Sequence, residues 1–439
     1  MSDLLAARLQ MAFSLGFHII FASIGIAMPF LMAASYWLFL KKKDSEYKIL
    51  TQAWSKGVAI FFAVGAVSGT ALSFELGLLW PKFMTYAGPI IGMPFSWEGT
   101  AFFLEAIAIG IFLYGWDRIP PWSHWLSGMV VGVSGVASAF FVICANGWMN
   151  SPAGFDWNNG NPINIDPWAA MFNDAAFIQG LHMVVGAFEA VGFAVGGIHA
   201  FLFLKTRHRI HQRALKIAFC FGAIAALIQP LVGDLSAKSV ARRQPLKLAA
   251  MESHFETQKG APLIIGGIPN LREKKVEYAI EIPAFLSFLA HGKFDAEVKG
   301  LNDFPQEQWP PVLVTHLAFQ IMVGFGFFLA GVGAIGLIFQ KKKPAWFTSS
   351  TMLWILVFCT PLGFFAIEAG WTVTEVGRQP WIIYGYLKTA EAVTPRPGIF
   401  YNFLVYLGLY GLLGFLVSLL LIRQISALHG ELKIRGSSK

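Results

Sequence analysis

The sequence predicts an all-α fold, a polytopic integral membrane protein with nine transmembrane helices, N-terminus outside and C-terminus cytoplasmic. Three observations carry this. Of the 439 residues, 56% are hydrophobic and 13% charged, too apolar for a soluble chain of this size. Nine apolar stretches of about twenty residues recur along the chain. The connections between them alternate in charge, as membrane topology requires.

The first stretch, 11–39, follows MSDLLAARLQ, which lacks the basic leader and small-residue cleavage site of a signal peptide, so this helix is expected to stay attached. KKKDSEYK after it is basic and belongs in the cytoplasm. The second, third and fourth stretches are 57–79, 98–116 and 126–145, the last carrying GMVVG, a small-xxx-small pattern that lets helices approach closely. The next connection, 146–178, holds Asp156, Asp166 and Asp174 but neither Lys nor Arg, and so faces outside. The fifth stretch, 178–204, ends in KTRHRIHQRALK, again cytoplasmic, and the sixth is 215–233. Residues 234–312 form one long polar connection on the outer side, and their ten Lys and Arg do not conflict with that, because long loops translocate largely regardless of charge. The seventh stretch, 313–340, ends in KKK, the eighth is 346–370, and the ninth, 399–422, precedes a basic tail with Arg423, Lys433, Arg435 and Lys439. The chain thus divides into helices 1 to 6 (1–233), an external loop (234–312) and helices 7 to 9 (313–439).

Other classes are excluded. The net charge of +8 falls in short clusters between apolar runs, which topology explains and nucleic-acid binding does not. Cys144, Cys220 and Cys359 lie inside apolar runs without CxxC spacing and imply neither disulfide nor zinc. VGFGFF at 323–328 is a membrane-helix glycine pattern without the strand that a dinucleotide fold needs.

An ionisable group at mid-membrane costs roughly 2.5–3.5 kcal/mol on insertion scales, so each calls for a reason. His18 lies about two turns into helix 1, Glu98 opens helix 3, His182 lies early in helix 5, and Met322 about two turns into helix 7. Glu75 closes helix 2 and Glu375 falls just past helix 8, so six helices offer candidate ligands in the outer half of the bilayer. Residues seven apart return to nearly one helix face. Glu98 and Glu105 are so related, as are His182 and Glu189, with Gly186 leaving room on the His182 face. Haem suits such a setting, since it needs an axial His, Met or carboxylate and neighbouring glycine for clearance.

Plainer roles compete for each residue. A lone membrane His is often a helix-packing hydrogen bonder, a lone Met is core filler, and Glu189 can bond across helices. His199 and His316, near helix ends, read as interfacial. Lys247 and Glu252 lie in a polar loop where solvated charges are the default, and their spacing of five on a helix gives no support.

Seven motifs together resemble one family: RLQMAFSLGFH at 8–18, WEGTAFFLE at 97–105, ANGWMNSP at 145–152, LH at 181–182, VGD followed by KLAAME at 247–252, QIMVG at 320–324 and GWTVTEVGRQPW at 370–381. The sequence is similar over nearly its whole length to the larger, haem-bearing subunit of the cytochrome bd-type quinol oxidases. The resemblance implies a low-spin haem b with His182 and Met322 as axial ligands. It implies a high-spin haem b and a haem d, or a further haem b, whose iron draws on His18, Glu98 and Glu375, with the assignment among them open. Arg378 would neutralise Glu375 or a haem propionate. Lys247 and Glu252 correspond to the functional residues of the family's quinol-binding loop, here the shorter of its two versions. Gln320 stands where the best-known members carry an Arg near the low-spin haem, a departure that resembles the cyanide-insensitive branch.

The activity so implied is oxidation of quinol at the outer face and four-electron reduction of O2 to water, with protons taken from the cytoplasm in a bacterial inner membrane. A proton path needs protonatable steps, for which Glu105 is the first candidate and Ser138 and Asn146 weaker ones. The resemblance further implies a second large membrane subunit and, in many members, a small single-helix one. Two rivals remain: a proton-coupled transporter, for which matching broken halves are not apparent, and a diheme electron-transfer cytochrome.

Overall fold

In the computed structural model, which describes residues 1–158 and 160–437, four long helices open the chain: α1 (Asp3–Lys42), α2 (Ser45–Leu79), α3 (Pro81–Tyr114) and α4 (Pro121–Asn150). A small hairpin of β1 (Asp156–Asn158) and β2 (Asn161–Ile163) and the short α5 (Pro167–Met171) lead to α6 (Ala176–Thr206) and α7 (Arg209–Arg243). The connection that follows holds α8 (Pro245–Glu252), β3 (Gln258–Lys259), β4 (Leu263–Asn270), β5 (Lys275–Ile282), α9 (Phe285–His291) and β6 (Glu297–Val298). The chain re-enters the bundle with α10 (Val312–Lys342) and passes through α11 (Pro344–Phe347), α12 (Ser350–Cys359) and α13 (Leu362–Val376). After β7 (Trp381–Ile383), β8 (Leu387–Lys388) and α14 (Thr389–Ala392) it ends in α15 (Ile399–Ser437). Of the basic tail, Lys439 and the side chains of Lys433 and Arg435 lie outside the described residues.

Among the described residues, nine helical segments are long and apolar enough to cross a membrane, with α5–α6 and α12–α13 each forming one. Their number agrees with the sequence; their ends do not, because hydropathy marks only the apolar middle of a helix. Asp44 caps α2 by accepting from Glu46 N at 3.1 Å, and Arg213 clamps that end through Asp44 (2.5 Å) and Glu46 (3.1 Å), so α2 starts well before residue 57. Proline lacks the amide that a helix interior uses, and Pro89 and Pro94 hide a start at Pro81. Glu98 therefore lies in the middle of α3 instead of opening it. His18 lies four turns into α1, and Glu375 is inside α13. The eighth span breaks at Thr360–Pro361, between α12 and α13. α7 runs ten residues past 233, its last turns tied by Lys238–Asp234 (2.6 Å) and Arg243–Ser239 (2.5 Å).

Small residues set the close contacts. Gly222 on α7 meets α6 where an added Cβ would stand 2.9 Å from Gly192 Cα. In the GMVVG stretch, Gly128 faces the Phe112 ring of α3 and Gly132 the Phe30 ring of α1. One end of the bundle gathers the long loop and the later turns, pinned by Ile399 N on Asp3 Oδ1 (3.1 Å), Thr394 N on the Leu79 carbonyl (2.9 Å) and Tyr384 N on the Met149 carbonyl (3.0 Å).

Candidate functional site

His182 on α6 is held by α7: Gln229 Nε2 lies 3.1 Å from the His182 carbonyl and 3.4 Å from Nδ1, so the ring nitrogen left for a ligand is Nε2. Gly233, one turn further along α7, leaves the ring edge uncovered; a Cβ there would stand 3.6 Å from Cε1. Gly186 makes room not for a ligand but for the Gln229 amide, 3.2 Å from where its Cβ would be. Met322 on α10 packs against Gly370 of α13, where a Cβ would meet Sδ at 3.0 Å. α6 and α10 both pack against α7 and α13, which brings the His182 and Met322 helices round one space.

His18 on α1 meets Ser68 of α2, whose Oγ lies 2.9 Å from Nδ1 and 2.8 Å from the Val64 carbonyl. With the single hydroxyl hydrogen on Val64, Oγ accepts from Nδ1 and the lone pair stands on Nε2, the form a metal ligand needs. Gly69 faces the same ring, 3.0 Å from Cε1 for an added Cβ.

The carboxylates meet on α4. Glu98 accepts from Ser138 Oγ at 3.2 Å, Glu105 lies against Gly135, and Glu375 accepts from Asn146 Nδ2 at 2.5 Å. Lys247 reaches Asn150 Oδ1 at 2.7 Å. Gly135, Ser138, Asn146 and Asn150 lie within about 120° around one helix, so a single stripe of α4 touches four of the residues singled out from sequence. Arg378 binds Glu375 at 2.5 Å. It is 2% exposed, and its Nε and Nη1 have no hydrogen-bond partner among the described residues.

The loop residues are not solvated. Lys247 and Glu252 on α8 are 4% and 3% exposed. Burial and the neighbouring Arg378 guanidinium hold the Lys247 ammonium well below its usual range, and burial pushes Glu252 up to about 8. Glu252 Oε2 is buried without a hydrogen-bond partner among the described residues. α10 clasps this loop with two side chains one turn apart. His316 places Nδ1 2.8 Å from the Met251 carbonyl and Nε2 3.1 Å from that of Gly266. Gln320 accepts from Gly266 N (3.0 Å) and donates to the Ile264 carbonyl (3.0 Å). Gln320 thus spends its amide on the loop hairpin rather than on the neighbourhood of Met322.

His316 and His199, read from sequence as interfacial, are both buried; His199 Nε2 accepts from Trp54 Nε1 at 3.1 Å, and its Nδ1 lies 3.1 Å from His211 Nδ1. Glu75 is fully buried, bound by Ser14 (2.8 Å) and Gln10 (3.2 Å) of α1. Glu189 is buried with Oε1 unpaired. Sequence reading missed Glu368, whose Oε1 is buried and unpaired and whose Oε2 faces Gly16. It stands seven residues before Glu375, the same spacing that links Glu98 to Glu105 and His182 to Glu189. Asn150 was missed as well, although it lies inside ANGWMNSP.

These residues fit haem. Among the described residues, no group of three or more His, Cys, Asp or Glu is placed to hold a bare metal ion. A macrocycle needs only one or two protein ligands per iron, and His18, His182 and Met322 each pack against a glycine of a neighbouring helix, which lets that helix approach the side chain closely. The unpaired N–H groups of buried Arg378 suit an anionic edge such as a carboxylate.

Comparison with known proteins shows the family. The sequence profile of the family described as cytochrome bd terminal oxidase subunit I matches residues 6–428. The chain is 39% identical over 424 residues, 94% of each chain, to the putative cytochrome bd menaquinol oxidase subunit I of Bacillus subtilis (strain 168). It is 33% identical, over 97% of its length and 94% of the relative's, to the cytochrome bd ubiquinol oxidase subunit 1 of the same organism. The solved bd oxidase structure from Geobacillus thermodenitrificans superposes with a TM-score of 0.92 at 40% identity, covering 97% of this chain and 99% of that one.

Proposed function

The chain belongs to the cytochrome bd terminal oxidase subunit I family, a haem-binding family of quinol oxidases, and from that premise we propose how its residues divide the work. It is a multi-pass protein of the bacterial inner membrane that acts with a second subunit and with quinol. In our reading His182 and Met322 hold a low-spin haem b. His18, Glu98 and Glu375 serve a high-spin haem b and a haem d or further haem b, with Arg378 beside them. When bound, haem iron supplies one-electron transfer and the open position at which O2 is reduced to water.

The loop end faces outside in this reading. Lys41, Lys42, Lys205, Lys341 and Lys342 cluster at the last turns of α1, α6 and α10, and the positive-inside rule puts those turns in the cytoplasm. Quinol then meets Lys247 and Glu252 from the outer surface. The free Glu252 Oε2 is the acceptor left for a quinol hydroxyl, and a carboxyl titrating near 8 exchanges a proton efficiently at neutral pH. Glu105, two turns inward of Glu98 and against Gly135 of α4, is in this reading the protonatable step on the cytoplasmic approach to the site. A proton brought across the membrane potential stores about 2.3 kcal/mol per 100 mV.

The observation that carries this reading is the meeting of Glu98, Glu105, Glu375 and Lys247 on one stripe of α4, together with the N–H groups of buried Arg378 that are unpaired among the described residues. The test is a dithionite-reduced minus oxidised spectrum with haem quantitation of the purified oxidase, followed by oxygen uptake with a short-chain quinol. A sample without haem, or one with haem that consumes no O2 with quinol, overturns the proposal.

A further inference from the structure

Lys247 Nζ is buried without a counter-ion: among the described residues no carboxylate lies within ion-pair distance of it, and it donates to Asn150 Oδ1 (2.7 Å) and the Thr374 carbonyl (3.3 Å). Asn150, at the last turn of α4, is 2% exposed and fully used. Its Nδ2 donates to Asn146 Oδ1 (3.2 Å) and to the Asn146 carbonyl (3.0 Å). Its own carbonyl accepts from Gln244 Nε2 (2.9 Å), the residue that opens α8. Asn146 Nδ2 in turn donates to Glu375.

We infer that Asn150 is the positioning residue of the loop lysine, fixing Lys247 Nζ and tying it through Asn146 to the Glu375 carboxylate. Every bond in this chain runs the same way, donor on the lysine side and acceptor on the glutamate side, so the amide dipoles align head to tail and reinforce one another. The direction also fixes the amides: turning Asn150 over would set its NH2 against the donors of Nζ. The chain is not a proton wire, because an amide passes no proton without adopting its imidic form. What it transmits is position. Gln244 and Lys247 together seat the first turn of α8 on α4, which places the rest of that helix, Glu252 included.

This inference rests on the quinol role proposed for Lys247, and the experiment separates the two. The intact oxidase is prepared with Asn150→Ala and with Asn150→Asp, which keeps an acceptor for Nζ. Reductive methylation of Lys247 is followed by mass spectrometry, KM and kcat are measured with a short-chain quinol, and the haem spectrum serves as the assembly control. Asn150→Ala is expected to speed methylation and raise KM about tenfold or more, as losing a hydrogen bond to a charged group does, with kcat within about twofold; Asn150→Asp returns both towards wild type. Asn150→Ser, too short to reach Nζ, replaces the alanine variant with the same expectation if that protein does not assemble. Lys247 as protected in the alanine or serine variant as in wild type overturns the inference, as does identical behaviour of the aspartate and the truncated variants. Faster methylation with unchanged KM upholds the positioning role and removes the quinol role of Lys247 instead.

Discussion

Ser68 Oγ lies 2.9 Å from His18 Nδ1 and 2.8 Å from the Val64 carbonyl, so that with the hydroxyl proton on Val64 the imidazole keeps its lone pair on Nε2. Removing such a partner typically costs 10–100-fold in metal affinity. Ser68→Ala is therefore expected to lower the high-spin haem content several-fold while the low-spin band is kept. Haem quantitation and the reduced minus oxidised spectrum check it; full occupancy of every haem would show that Ser68 does not orient the ligand.

Gln320 distinguishes two roles that the sequence cannot separate. If its work is to hold the hairpin, Gln320→Leu frees two backbone partners on Gly266 and Ile264. Hydrogen exchange in 263–270 then rises about tenfold or more, as removing a pair of hydrogen bonds that anchor a backbone segment does, and the low-spin haem potential stays where it was. A shifted potential with unchanged exchange would return Gln320 to the haem.

Glu105 is expected to act by holding a proton. Glu105→Gln keeps the shape beside Gly135 and removes the titratable group, so O2 consumption is expected to fall about a hundredfold, the lower end of what a positioned acid or base contributes. All haems remain in the spectrum. Loss of haem with the activity would instead mark the residue as structural.

Glu252 gives a pH signature of known sign. Unfolded, a glutamate loses its proton near 4.5; in the folded loop burial delays this to about 8. The folded state binds the extra proton across that window, so loop stability is greatest below about 4.5, falls as pH rises and levels off above 8. Quinol oxidation, which draws on the ionised form, rises over the same window. Intrinsic-rate-corrected hydrogen exchange of 245–252 and a pH–rate profile follow the two trends, and Glu252→Gln is expected to flatten both.

The nine spans were legible because lipid imposes apolarity over a fixed length. Glu98 shows what was not: its depth depended on a helix start that Pro89 and Pro94 conceal, and proline inside a helix reads locally as a boundary. The ligand candidates come from asking why lipid would tolerate a polar group, a question that can be put to His18 and His182 inside their helices but not to loop residues. The burial of Lys247 comes from α4, α8 and α13 meeting at Asn150 and Thr374. That meeting point joins segments about a hundred residues apart on either side and leaves no local pattern. Glu368 differs, since the seven-residue spacing that picked out Glu105 also reaches it from Glu375.

The stripe on α4 serves Glu105, Glu98, Glu375 and Lys247 from one continuous helix, so its correctness depends on phase as much as on side chains. One extra residue inserted between Ser138 and Asn146 would swing everything beyond it by about 100° and lift it by about 1.5 Å. Gly135 and Ser138 would keep their partners while both asparagines turned away. Length between those two points is thus the least forgiving dimension of this segment, and a lesion there would free the start of α8 from α4 without altering the composition of any motif, while α10 kept its own hold on the loop.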